Sequence, residues 1–264
     1  MPYTCPVCGE DFCSRHFDLW WDSDRFDWEG CSRFLVIYCG ELIGKWWDSN
    51  RFNWQQYSHF LARYCSRYFD VWWSPKKYNW QDSSDSLAKY CSGHFPKWWN
   101  PNQYNWAKAS DALARYCARY FDTWWDSDKF NWQKASWALA QYCSNKFLVW
   151  WNPDKFNWTK SSCDLAEYCS EYFDVWWDSN QFNWLNGSCT LATMCNRHFD
   201  KWWNPDKFDW KSASWALAKY CSKHFLKWWD PSKFNLKDRG YLQMCCYEYR
   251  RIWENDLRLY DLLR

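Results

Sequence analysis

Three cysteines and one histidine near the N-terminus have the residue types and the spacing of a metal site. Cys5, Cys8, Cys13 and His16 follow the pattern C-x₂-C-x₄-C-x₂-H. Thiolates and imidazole are soft ligands, and four of them satisfy the tetrahedral coordination that Zn²⁺ prefers. The spacing therefore predicts one structural zinc ion, held by a knuckle in an N-terminal cap over residues 1–19.

Half of this motif also has another explanation, because two of its residues belong to a repeat. Counterparts of Cys13 and His16 recur at the same spacing in Cys91/His94, Cys195/His198 and Cys221/His224. Cys5 and Cys8 have no counterpart in the repeat. The stretch YTCPVCGEDF resembles the first half of a Cys₂His₂ zinc finger, although the downstream His pair of such a finger is missing.

The other residues that could support chemistry predict no catalytic site. The five histidines fall mostly at one repeat position, which indicates surface, and the seven glycines form no phosphate-binding loop. We therefore expect a protein that is not an enzyme. The 33 Lys and Arg nearly balance the 31 Asp and Glu, so the net charge of +2 does not favour nucleic acid or an anionic membrane as partner. Apolar runs are far shorter than the ~20 residues that cross a bilayer, and we expect no membrane partner.

Nine of the 16 cysteines share one repeat position. They are Cys13, Cys39, Cys65, Cys91, Cys117, Cys143, Cys169, Cys195 and Cys221. Equivalent atoms of stacked helices lie ~8–10 Å apart, whereas a disulfide requires Cα atoms within ~7 Å. The column therefore predicts buried free thiols and an intracellular, reducing compartment.

The element that positions all these residues is a 26-residue unit marked by a Trp-Trp pair. The pairs begin at Trp20, Trp46, Trp72, Trp98, Trp124, Trp150, Trp176, Trp202 and Trp228. A fixed period of this size predicts an all-α solenoid in which each unit stacks on its neighbours. We expect nine repeats over residues 20–236 between atypical caps, with one capping helix over 237–264.

The repeat has a recognisable signature in the patterns WW-[DN]-[SP]-x-x-[FY]-[ND]-W and LA-x-YC-S. Over the repeat region the chain resembles Trp-rich tandem-repeat proteins encoded by large DNA viruses. The resemblance implies no activity. It implies a viral protein, which would reside in the host cytoplasm or in the virion.

The pattern within one unit predicts one helix of ~16 residues. We number the first Trp of each pair as position 1. Position 13 is serine in all eight full units, and serine is a good N-cap. Apolar residues at positions 16, 20 and 24 and at the next position 1 then form one helical stripe. A D-S or N-P segment after the Trp pair predicts a short helical or 3₁₀ turn.

Two arrangements of these helices remain open. The chain outside the helix, roughly ten residues, can span ~33–36 Å, enough to return along a helix ~24 Å long, so all helices can be parallel. The alternative is a helix of ~20 residues that begins at the position-9 tryptophan. Its short connection would require antiparallel neighbours.

Two columns of side chains suggest packing or surface rather than binding. Tryptophan stands at position 9 in eight units, from Trp28 to Trp210, and is interpreted as core. The alternative interpretation is a ladder of exposed rings that stacks bases or sugars. Position 6 is mostly basic, as in Arg51 and Lys77, but Asp or Asn precedes it in most units, which indicates solvated surface.

Positions 14, 18 and 22 form a stripe that varies between units while the surrounding residues repeat. The stripe is offset by ~200° from the core stripe and so faces away from it. We interpret it as a recognition surface, the alternative being drift on a solvated face. The predicted binding residues are Arg33, His59, Asp85, Asp111, Trp137, Trp215, Arg63, Lys89, Arg115, Glu167 and Lys219.

The function predicted from these features is a non-enzymatic repeat scaffold for protein–protein interaction or self-assembly. The alternative is a binder of an extended polymer, single-stranded nucleic acid or glycan, that uses the Trp columns.

Overall fold

The computed structural model of the chain describes residues 3–262. Residues 1–2 of the predicted N-terminal cap and 263–264 of the predicted C-terminal helix lie outside this range. The chain divides into two compact units, Met1–Asn131 and Trp132–Arg264. Within each unit the same helical element recurs at the period of the sequence repeat, which confirms the predicted all-α tandem-repeat architecture. Among the described residues no helix combines the length and the apolarity that a membrane crossing requires.

Each repeat contains one principal helix, which begins at the position-9 residue and ends at position 19. These helices are α1 Trp28–Tyr38, α2 Trp54–Tyr64, α3 Trp80–Tyr90, α4 Trp106–Tyr116, α5 Trp132–Tyr142, α6 Trp158–Tyr168, α7 Trp184–Met194 and α8 Trp210–Tyr220.

A 3₁₀ turn and a helix of a single turn continue each repeat up to the first Trp of the next pair. The 3₁₀ turns are Gly40–Leu42, Ser66–Tyr68, Ser92–His94, Ala118–Tyr120, Ser144–Lys146, Ser170–Tyr172, Asn196–His198 and Ser222–His224. The short helices are Phe17–Trp20, Ile43–Trp46, Phe69–Trp72, Phe95–Trp98, Phe121–Trp124, Phe147–Trp150, Phe173–Trp176, Phe199–Trp202 and Phe225–Trp228.

The predicted helix start at the position-13 serine is wrong, because the N-cap is the Asn or Asp at position 8. In α3 the Asn79 side chain accepts from the backbone N–H of Asp82. Ser84 lies inside the helix, where its hydroxyl donates to the carbonyl of Trp80. The single long helix predicted for each unit is likewise divided, since Cys91 leaves helical geometry at φ −115° and ψ 22°. The chain between the Trp pair and position 8 forms the predicted short helical turn, in which the backbone N–H groups of Lys77 and Tyr78 both donate to the carbonyl of Ser74.

Consecutive repeats are parallel and in register within each compact unit. Asn79 Nδ2 donates to the carbonyl of Gln55 at 2.6 Å near the helix start. At the other end, Lys97 Nζ lies 2.6 Å from Asp70 Oδ1. Because corresponding ends of successive repeats meet, the parallel arrangement is confirmed and the antiparallel alternative is excluded there. The neighbouring pairs are α1–α2, α2–α3 and α3–α4 in the first unit, and α5–α6, α6–α7, α7–α8 and α8–α9 in the second, where α9 is Arg239–Cys245.

The position-13 serine links each repeat to the next. Ser84 Oγ accepts from the backbone N–H of Asn105 at 3.0 Å, and both residues are buried. The same bond recurs at 3.0–3.1 Å in seven successive pairs, from Ser58 and Asn79 to Ser214 and Asn235. A buried N–H left without an acceptor costs free energy. The serine therefore stabilises the contact between these repeats.

The core of each repeat is a cluster of aromatic rings. Trp98 is 1% exposed, and its indole N–H donates to the carbonyl of Cys91 at 2.8 Å. Phe95 is stacked between Trp99 at 5.1 Å and Tyr120 of the following repeat at 4.6 Å. Histidine replaces this tyrosine in some copies. The histidine side chains at this repeat position were expected at the surface, but they are half-buried and pack against phenylalanine.

The C-terminal segment is a shortened repeat rather than the predicted single helix. A 3₁₀ turn at Leu236–Asp238, helix α9, a second 3₁₀ turn at Tyr247–Tyr249 and helix α10 Arg250–Leu262 follow one another. Trp253 is fully buried and its indole N–H donates to the carbonyl of Cys246, as in every repeat. The column of position-24 phenylalanines, however, ends in the exposed Arg250.

Candidate metal centre and outer helix face

The N-terminal cluster is built on a tight hairpin. The backbone N–H of Cys5 donates to the carbonyl of Glu10 at 2.9 Å, and that of Gly9 donates to the carbonyl of Cys5 at 3.0 Å. Gly9 has φ +73°, a conformation that side chains disfavour. Phe12 also has a positive φ of 54° and turns the chain towards Cys13. These two turns bring the cysteines on either side of them together.

The four predicted ligands converge. Their ligand atoms all lie within 4.8 Å of one another. Cys8 Sγ is 3.4 Å from Cys13 Sγ, which is 3.6 Å from His16 Nδ1. Tetrahedral zinc with Zn–S bonds of ~2.3 Å requires sulfurs ~3.8 Å apart. The donor set and its separations therefore fit a tetrahedral metal ion.

The thiols of the cluster differ in acidity. Burial opposes ionisation of Cys5, but backbone N–H groups of Cys8 and Val7 outweigh it and lower the pKa of Cys5 to about 7. For Cys8 a backbone interaction at Glu10 favours the thiolate. Burial and the hydrogen bonds with Cys13 and Cys5 outweigh this interaction and raise the pKa of Cys8 to about 11. The cluster thus readily forms a thiolate at Cys5, while Cys8 keeps its proton. A bound cation would displace such a proton.

The cluster is attached to the first repeat by aromatic and polar contacts. The ring of Phe12 stacks on Phe34 of α1 with centroids 4.8 Å apart. Cys39 Sγ lies 3.4 Å from the carbonyl of Phe12, and Tyr3 Oη accepts from the backbone N–H of Asp27 at 2.7 Å. The hairpin thereby covers the edge of the first repeat.

The predicted outer stripe lies on the solvent side of the principal helices, with two degrees of exposure. Its exposed members are Arg33, Arg63, Asp85, Lys89, Arg115, Glu167 and Lys219, and its half-buried members are His59, Asp111, Trp137 and Trp215. Trp137 lies partly against its own helix, and Trp215 lies partly against the following helix α9. Trp137 Nε1 donates to the carbonyl of Lys134 at 3.0 Å, and the ring of Trp215 is 5.6 Å from Tyr241.

Position 19, which was not predicted from the sequence to matter, carries an aromatic column beside this stripe, exposed in some repeats and half-buried in others such as those of Tyr90 and Tyr116. Tyr38 is 55% exposed and Tyr64 is 42% exposed. The position-18 cation covers the neighbouring ring, with the guanidinium of Arg63 5.1 Å from Tyr64 and 6.0 Å from Tyr90. The tyrosine before each cysteine in the LA-x-YC pattern was the available signal. The outer face is therefore aromatic and charged together.

The tryptophan columns, by contrast, are part of the packing. Position-9 residues from Trp28 to Trp184 are 7–9% exposed, and Trp210 is half-buried. Their indole N–H groups bond backbone carbonyls, as Trp158 does to Pro153 at 2.9 Å. The second Trp of each pair is half-buried, and where phenylalanine stands four residues earlier the two rings stack, as in Trp151 on Phe147.

The position-6 cations are not simply solvated, as the sequence had indicated, because they bridge successive repeats. Lys77 Nζ bonds the carbonyl of Ser49 at 2.8 Å and the side-chain oxygen of Asn50 at 2.7 Å.

Comparison of the chain with family models, with curated proteins and with solved structures finds no match.

Proposed function

We propose that the chain is a non-enzymatic scaffold that binds a protein partner through the outer face of its principal helices. The observation that carries this proposal is the contrast between two faces of one helix. The buried face repeats the same Trp, Ser, Leu and Cys with the same hydrogen bonds. On the opposite face, position 14 changes from Asp85 and Asp111 to Trp137 and Trp215. Variation confined to one exposed face is how stacked repeats acquire a specific partner.

Residues 132–227 carry the part of this face best suited to a protein. Trp137 and Trp215 stand at position 14 of α5 and α8, and Cys163 and Cys189 stand at this position between them. The row therefore has a large ring at each end and small apolar side chains in its middle. Tryptophan is enriched among the residues that dominate binding at protein interfaces. The burial of the position-9 column removes the support for a polymer that stacks on it.

We further propose that Cys5, Cys8, Cys13 and His16 hold one zinc ion with a structural role. Three thiolates and one imidazole would complete a tetrahedral site, and no position would be left for a substrate. Zinc bound there would fix the hairpin that presents Phe12 to Phe34. Free thiols throughout the repeats support a reducing compartment for the protein.

The scaffold proposal is tested with a photo-crosslinking residue placed at Glu167 on the outer face and, as control, at the exposed Lys76 on another face. In cells that make the chain, we expect the crosslinking residue at Glu167 to capture one discrete protein and the residue at Lys76 to capture none. The crosslink should be lost in Trp137→Ala/Trp215→Ala but kept in Leu148→Ala, which removes an exposed apolar residue elsewhere. Equal crosslinking from both sites would contradict the proposal. Crosslinking of the chain to itself would support self-assembly instead.

The zinc proposal is tested by elemental analysis of protein purified without chelator. We expect about one zinc per chain, lost in Cys5→Ser/Cys8→Ser and kept in Cys163→Ser/Cys189→Ser. Wild-type protein that holds no metal even after incubation with zinc would refute it.

A further inference from the structure

Basic residues are concentrated on the outer face of α2, α3 and α4, although the whole chain is nearly neutral. Residues 46–123 contain ten basic and six acidic residues, which gives +4. Residues 124–201, with the same three-repeat architecture, contain seven basic and nine acidic residues, which gives −2. Since the fold is the same, the excess charge is a property of the surface rather than of the packing.

The excess cations lie in two rows. Arg63, Lys89 and Arg115 occupy position 18 of successive helices, and Arg67 and Arg119 occupy position 22; all five are exposed. In the part of the chain that the structure describes, Arg63, Arg67, Lys89 and Arg119 form no salt bridge. Other lysines of these repeats are neutralised on other faces, as Lys97 is by Asp70 and Lys108 by Asp82. The carboxylates that share the outer face are Glu41, Asp85 and Asp111, so the five cations retain an excess of positive charge.

Tyrosine rings accompany each position-18 cation. Lys89 Nζ lies 5.0 Å from the ring centroid of Tyr90, and the guanidinium of Arg115 lies 5.2 Å from that of Tyr116. At the edge of these rows, Tyr38 and Tyr64 line a depression of about 490 Å³ that also includes Gly40. A Cβ atom at Gly40 would come within 3.1 Å of Cys65 Sγ, so the repeats approach each other closely beneath the depression.

We infer that this face, with its two rows of cations interleaved with tyrosine rings, binds single-stranded nucleic acid. Parallel helices place the three position-18 cations at a regular interval of ~8–10 Å and the two position-22 arginines, which are two repeats apart, at about twice that distance. A phosphodiester chain is a polyanion whose charges also recur regularly. Exposed rings stack unpaired bases, and guanidinium groups both stack on bases and bind phosphate. An acidic protein would be attracted by the same charge but would make no comparable use of the rings.

This surface is separate from the protein-binding row of the proposed function. At position 18 the helices α5, α6 and α7 carry Gln141, Glu167 and Thr193 in place of the three cations. The inference does not rest on the proposed function, and either can fail alone.

The test is fluorescence anisotropy of the intact protein with a labelled oligothymidylate of about 20 nucleotides. We expect saturable binding whose affinity falls with salt, with a slope of about −0.7 for each phosphate contacted. The variant Arg63→Gln/Lys89→Gln/Arg115→Gln places at position 18 the residue that α5 already has there, Gln141. It should bind more than about tenfold more weakly at low salt and reduce the slope by about 2.

A control variant removes the same charge elsewhere. Lys76→Gln/Lys160→Gln/Lys211→Gln changes three exposed lysines outside the outer face, and its affinity should stay within about threefold of wild type. Tyr64→Phe/Tyr90→Phe should retain binding and Tyr64→Leu/Tyr90→Leu should lose it, with circular dichroism confirming that each variant folds. Absence of binding at low salt, an equal loss in the control variant, or equal competition by polyglutamate would overturn the inference.

Discussion

Replacement of Ser84 by alanine should show that a single hydroxyl joins neighbouring repeats. Ser84 is 2% exposed, and its oxygen is the acceptor for the backbone N–H of Asn105 in the next repeat. Alanine fits the space but leaves that N–H without an acceptor, in a residue that is only 9% exposed. A buried unpaired donor costs about 1–3 kcal/mol. The carbonyl of Trp80 also loses the serine hydroxyl as a donor, and we expect a total loss of about 2 kcal/mol.

The assay is equilibrium unfolding in urea followed by circular dichroism, with Ser92→Ala as the matched control. Ser92 is half-buried at position 21, where another repeat already has Ala118. We expect the control to stay within about 0.5 kcal/mol of wild type. Amide hydrogen exchange should also lose protection at Asn105 in Ser84→Ala alone. If both variants unfolded at the same urea concentration, the serine would not be the link between repeats.

Two further predictions follow from the pKa values of buried groups. Burial raises the pKa of Cys91 to about 12, so iodoacetamide at pH 8 should modify this thiol only after denaturation. The half-buried Cys189 should react in the folded protein, and mass spectrometry distinguishes the two modified cysteines. Rapid labelling of Cys91 in the folded protein would contradict its burial. Burial, assisted by Glu167, raises the pKa of Asp164 to about 6. The folded state therefore binds this proton more tightly than the unfolded state, and stability should fall as pH rises from about 4 to 6. In Asp164→Asn this pH-dependent change in stability should vanish, and the protein should be more stable than wild type at pH 7. If the urea midpoint of the variant depended on pH as the wild-type midpoint does, the raised pKa of Asp164 would be refuted.

The fixed period of the sequence was sufficient to predict the architecture, because identical units can bury their aromatic faces only against one another. The helix boundary was not predictable from the same pattern. Serine at position 13 and asparagine at position 8 are both good N-caps. The sequence does not reveal that the Ser84 hydroxyl accepts from Asn105 in the next repeat. Because Ser84 has this role, the N-cap of the helix is Asn79. The break at the cysteine was hidden for a similar reason, since the apolar spacing continues across it.

The candidate sites were predictable to different degrees. The metal ligands are close in sequence, and the turns at Gly9 and Phe12 bring together residues whose spacing had already suggested a site. The outer face depends on helix phase: the predicted position-18 residues are exposed, whereas most position-14 residues are half-buried. The tyrosine column was missed because a tyrosine that recurs in seven of the eight full units is hard to distinguish from core. Only the structure places the rings of Tyr38 and Tyr64 at the surface.

The tryptophan columns hold the array together, and we propose that binding belongs to the outer face. Comparison of Trp158→Ala with Trp137→Ala by urea unfolding tests this account most directly. Trp158 is 8% exposed and packs edge-on against Trp151 at 5.6 Å, so its truncation should cost about 3–5 kcal/mol. Trp137 is half-buried on the variable face, and its truncation should cost about 1 kcal/mol. A Trp158→Ala protein that unfolds at the wild-type urea concentration would contradict the account.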